Sequence, residues 1–232
     1  MKTIYALLSV LFLLPLSVFA KPFANQFIEF QLPDKWECQL DGTEWVCQST
    51  DEQKKRDAII VLAAKIKKPG MDEMPVYKAH LEKPQTYQSL SGENITSEPK
   101  YVKETDISGH AWIDSLHLQS EIPDFYTRYL ATVEADLGIL VTFSVRKDKY
   151  EEYGPDIDNM IKSLRAFRKP GNLNEGGSAG VEVNPENTIF SGGGGQQKKV
   201  AGGGGEEGAI GLLLLLVAGA GGFLWWKKKK KK

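Results

Sequence analysis

Three histidines and two cysteines are the scarce side chains from which chemistry could be built in this sequence. His80, His110 and His117 are its only imidazoles. If residues 110–119 form a strand, alternation sends His110 and His117 to opposite faces, which argues against a shared metal. His110, Trp112 and Asp114 would then share one face. A His110–Asp114 pair there is capable of acid–base work, although a solvated face or a hydrogen-bonded structural histidine is the weightier reading. No Gly-x-Ser-x-Gly elbow and no glycine-rich phosphate loop after a strand is present. The adjacent Glu151 and Glu152 read as a solvated face. No metal, no cofactor and no catalytic motif is expected, and an envelope enzyme using His110 and Asp114 is the alternative.

Cys38 and Cys47 each follow a tryptophan, Trp36 and Trp45, by two residues. Nothing resembles Cys-x-x-Cys, and too few ligands lie nearby for zinc, so the pair reads as a disulfide. Asp41-Gly42 is a hairpin-turn signal. A tight turn there pairs Cys38 with Trp45 and leaves Cys47 two residues out of register. The bridge therefore calls for a longer loop or a bulge, for which Gly42 and Thr43 are suited. Closing so short a loop contributes about 2–3 kcal/mol on the chain-entropy estimate.

One aromatic group suits recognition. Phe125, Tyr126 and Tyr129 open a strand, Trp112 belongs to a neighbouring one, and Glu121, Asp124 and Arg128 rim them. Trp112, Tyr126, Arg128 and Tyr129 form a candidate surface for a protein or peptide partner. Ordinary core and sheet-edge packing is the bland and weightier reading of the same residues.

The elements that must position these groups follow from periodicity. Strands are predicted over 27–32, 36–40 and 45–48, and the apolar run 58–64 reads as a strand buried on both faces. A helix is predicted over 73–83, with Asp72 as cap candidate, Pro75 in its first turn and Val76, Tyr77 and His80 as its stripe. Residues 85–98 read as polar loop, with an acceptor sequon at Asn94. Four further strands are predicted over 100–107, 110–119, 127–135 and 139–146, joined in antiparallel hairpins at Gly109 and Gly138. Pro155 is expected to open the last helix, in which Ile157, Met160, Ile161 and Leu164 keep helical spacing, after a short helix over 147–153. This order predicts an α+β fold, an antiparallel sheet flanked by helices.

The two ends address the chain. Residues 1–20 carry Lys2, then an apolar run and Ala20, the layout of a cleaved secretory signal. Residues 169–208 hold 13 glycines in 40 residues and read as a flexible linker. Its apolar island at 181–190 reads first as spacer and second as a short docking motif. Residues 209–226 lack charge and span about 27 Å as a helix, close to a bilayer core. Trp225 and Trp226 suit the headgroup region, and Lys227 opens a six-lysine tail that suits the cytoplasmic side and anionic lipid. Residues 21–168 hold 19 Lys+Arg and 25 Asp+Glu, a balance of −6 that excludes nucleic acid as an expected partner. The reading is a single-pass type I protein, its domain of residues 21–168 periplasmic or extracellular, its helix held by membrane lipid. A spacer, apolar helix and basic cluster also resemble a C-terminal sorting signal removed after export.

The Leu-Pro-x-x-Trp opening (Leu32, Pro33, Trp36), the stretch 107–118, and the close with Tyr150, Tyr153 and Ile157-x-x-Met160-Ile161-x-Ser163-Leu164 resemble the PsbP-like domains of the Mog–PsbP superfamily. The resemblance covers roughly residues 25–168 and rests mostly on core positions. It implies an antiparallel sheet between helices and a binding or assembly role without catalysis. No functional residue carries over from it. The expected function is a membrane-tethered, non-catalytic binding or assembly module.

Overall fold

The computed structural model describes residues 21–88, 94–119, 122–169 and 189–191. The expected signal sequence, most of the linker, the span with Trp225, Trp226 and Lys227, and Glu121 lie outside the described residues.

Eleven strands and two α-helices make up the described chain: β1 (Lys21–Ala24), β2 (Ile28–Leu32), β3 (Trp36–Asp41), β4 (Glu44–Ser49), β5 (Ala58–Ile66), α1 (Met74–Leu81), β6 (Gln85–Gln88), β7 (Asn94–Ile107), β8 (His110–Leu118), β9 (Phe125–Glu134), β10 (Leu137–Arg146), α2 (Tyr150–Lys162) and β11 (Arg165–Ala166). The large sheet runs β3-β4-β5-β10-β9-β8-β7-β6, and a small one runs β1-β2-β11. Every pairing is antiparallel. Neighbours along the large sheet are chain neighbours except at β5–β10, where two hairpin arrays meet.

Alternation divides the core into two layers. Ile60 and Leu62 of β5, Leu130 of β9, and Val141 and Phe143 of β10 face α2 and β2, packing on Ile157, Met160, Ile161, Phe30 and Leu32. The opposite parity, Ala63, Ile113, Tyr129, Ala131 and Leu140, faces Tyr77 and Leu81 of α1. The fold is thus an antiparallel sheet with few helices, one to each face, and α2 shares its face with the small sheet.

Several expectations are corrected. The β3–β4 turn is Gly42-Thr43, with Asp41 paired to Glu44, so Cys38 lies directly opposite Cys47 and no bulge is needed. Gly42 supplies the positive φ, 59°, that the first position of a primed hairpin turn demands. The Cys38–Cys47 disulfide is formed. Residues 85–98 are not loop throughout: β6 pairs with the start of a 14-residue β7, which passes Pro99 by a register shift between Pro99 and Tyr101. A polar, exposed alternation carries no apolar stripe, and proline masked the continuity. Pro155 does not open the last helix but sits inside α2, which begins at Tyr150. It forgoes one bond to the turn before it, and the helix survives because its buried stripe, Tyr153, Ile157, Met160 and Ile161, is anchored in the core. Asp72 does not cap α1, whose N-cap is Glu73. Val76 is exposed, and Tyr77 with Leu81 forms the buried stripe.

Candidate functional site

The four residues singled out for a recognition surface do not share one. Trp112 is wholly buried in the layer beneath α2. Tyr126 and Arg128 lie on that same face of the sheet, while Tyr129, of opposite parity, is 5 % exposed and packed in the α1 layer. The odd spacing between 126 and 129 was the signal in the sequence that separates them.

Arg128 is the centre of an ion-pair network. Its Nε and Nη2 donate to Oδ1 and Oδ2 of Asp114, both at 2.8 Å, from the adjacent strand. The Tyr101 hydroxyl donates to Asp114 Oδ1 at 3.3 Å, and Lys103 Nζ lies 3.6 Å from Oδ2. Arg128 Nη1 reaches outward to Asp158 of α2 at 2.9 Å, which ties the helix to the sheet. Burial opposes the guanidinium charge, but the bonds and charge of Asp114 more than offset it and hold Arg128 firmly protonated. Burial, then the Asp114 charge, raises the Tyr101 phenol. Tyr126 meets Tyr150 edge-on at 5.5 Å.

His110 and Asp114 do share a face, as alternation requires, but each has other partners. The Thr132 hydroxyl donates to the Ala111 carbonyl at 2.7 Å, so it accepts from His110 Nε2 at 2.8 Å, and Nδ1 lies 3.5 Å from Glu134. The carboxylate of Asp114 is engaged by Arg128. His117 lies on the other face, its Nδ1 2.9 Å from Ser97 Oγ and its ring edge-on to Tyr129 at 5.0 Å. Burial lowers His117 to about 4, against the Leu81 carbonyl, which favours the charged ring. Among the described residues no three His, Cys, Asp or Glu side chains converge for a metal.

The α1 face holds what the motifs did not reveal. Ile189, Phe190 and Ser191 form a 3₁₀ turn lying against β5 and β10, although all three belong to the expected linker and the first two to its apolar island. Ile189 is 2 % exposed. Its backbone N–H donates to Asp72 Oδ1 at 2.9 Å. The same buried carboxylate accepts from the Tyr77 hydroxyl at 3.0 Å and the Lys68 N–H at 2.8 Å. Burial, then the Asp72 charge, raises the Tyr77 phenol far above its ordinary range. Phe190 meets Tyr77 edge-on at 5.3 Å and stacks on His80 at 4.3 Å. Burial, then the nearby Lys83 charge, lowers the His80 ring. Gly138 forms the floor: a Cβ there would collide with the Tyr77 hydroxyl and lie 3.6 Å from the Ile189 Cβ. Burying Ile189 contributes about 1.5–3 kcal/mol.

Neither a family model nor a curated protein matches the chain. Among solved structures it is similar to cyanobacterial PsbP (CyanoP) from Synechocystis, with 13% identity and a TM-score of 0.44 over 66% of this chain and 95% of that one. It is similar to LpqN, involved in cell envelope biogenesis of Mycobacterium tuberculosis, at 10% identity and a TM-score of 0.38, over 63% of this chain and 84% of that one. The Ran-binding protein Mog1p of Saccharomyces cerevisiae is matched at 8% identity and a TM-score of 0.38, over 63% of this chain and 96% of that one. Each is a similarity of fold.

Proposed function

We propose that this protein is a membrane-tethered, non-catalytic binding module of PsbP-like fold, displayed outside the cytoplasm, whose α1 face takes a short apolar peptide segment of a protein partner. The observation that carries the reading is the seat of Ile189 and Phe190: two adjacent apolar side chains and one backbone N–H, received by Asp72, Tyr77, His80 and Gly138. An apolar recess with one fixed polar acceptor is the ordinary form of a peptide-binding pocket. The engagement of Asp114 by Arg128 favours this reading over the acid–base alternative. The disulfide suits an oxidising compartment, and the apolar, lysine-ended C-terminus suits a lipid-held anchor.

The test is a titration of the full chain carrying Ile189→Gly and Phe190→Gly with a synthetic peptide of residues 184–194. Chemical-shift changes at Tyr77, His80 and Gly138 are expected. If several millimolar peptide leaves those signals unmoved while the variant is folded, the binding reading fails.

A further inference from the structure

We infer that Ile189–Phe190 is a displaceable self-ligand: the chain inhibits its own peptide pocket in the resting state, and a partner segment bearing an aliphatic–aromatic pair must evict it. This rests on the binding reading above and adds regulation of the same pocket.

The pocket is built without the segment. Asp72 is held by the Lys68 N–H and the Tyr77 hydroxyl, and Tyr77 is seated over Gly138, all within the domain. A site whose walls are fixed by internal bonds stays receptive when its occupant leaves. The occupant itself joins no strand: the Ile189 N–H donates to Asp72, and Phe190 is half-buried where it stacks on His80. Residues 170–188, a stretch of 19, separate it from the domain. Two side chains and one N–H bind on roughly the millimolar scale alone, and a tether of that length supplies an effective concentration of about the same order. Occupancy of the pocket is then near balance, which is the condition for competition. A core element would instead exchange only when the whole domain opened.

The experiment compares two full chains, unmodified and Ile189→Gly/Phe190→Gly, titrated with the 184–194 peptide and with a control peptide having glycine at both positions. The peptide is expected to bind the double variant, and the unmodified chain about twofold more weakly, while the control binds neither. Equal affinity for both chains overturns self-inhibition and leaves the pocket reading standing. Binding to neither overturns both. Because the double variant could fail to fold, hydrogen exchange at the Ile189 amide is followed in the unmodified chain as well. Exchange that quickens with added peptide supports displacement. An Ile189 amide that exchanges only with global unfolding, with or without peptide, overturns it.

Discussion

Asp114 and Arg128 lie on adjacent strands and share two parallel hydrogen bonds of 2.8 Å, with the Asp114 side chain 2 % exposed. The pair converts two potentially chemical side chains into a structural unit. Asp114→Asn leaves a largely buried guanidinium with only the exposed Asp158 as counter-charge. The expected loss is about 3–5 kcal/mol, read from urea unfolding. The double replacement Asp114→Leu/Arg128→Met is expected to recover most of it, since neither charge is then buried alone. Equal losses in the single and double variants would refute the account.

Tyr77 and Gly138 make a second close relationship. Gly138→Ala places a methyl group against the Tyr77 hydroxyl, which must retreat and loosen its bond to Asp72. A loss of about 1–3 kcal/mol is expected, together with faster exchange at the Ile189 amide. Adding Tyr77→Phe removes the colliding oxygen and is expected to restore part of the stability. No restoration would mean the clash is not the cause.

The disulfide closes the β3–β4 hairpin. Reduction is expected to lower stability by about 2–3 kcal/mol, measured by thermal unfolding with and without reductant. In Cys38→Ala/Cys47→Ala the reductant is expected to have no effect; a residual effect would contradict the assignment.

His117 sets a pH dependence. Its folded value of about 4 lies below the ordinary 6.5, so between those limits the unfolded chain binds a proton that the native chain refuses. Stability from this ring is complete above about pH 6.5 and declines as the pH falls toward 4, by about 3 kcal/mol in all. His80, lowered by burial and then by Lys83, acts in the same direction. Unfolding midpoints taken between about pH 7 and 5 are expected to fall less steeply in His117→Gln. Parallel profiles for the two proteins would rule out the ring as the source.

The proposed anchor can be weighed directly. Intact mass of the membrane-extracted protein is expected to match residues 21–232, signal removed and tail retained. A shorter product ending before residue 209 would favour the sorting-signal alternative.

By itself, the sequence determined the local order of this domain. Alternation along residues 110–118 placed His110 with Asp114 and opposed His117, because side-chain direction in a strand has period two and needs no partner to define it. The apolar run at 58–64 marked an interior strand on a second ground: only a strand covered on both faces can be apolar at every position. The tertiary structure decided everything that depends on which strand meets which. The β5–β10 pairing brings distant hairpins together, and Asp114 acquires Arg128. Likewise the apolar doublet at 189–190 was visible, but its seat is assembled from residues 72, 77, 80 and 138. Those positions are neighbours only after the chain has folded, and no local pattern records a contact whose two sides lie more than fifty residues apart.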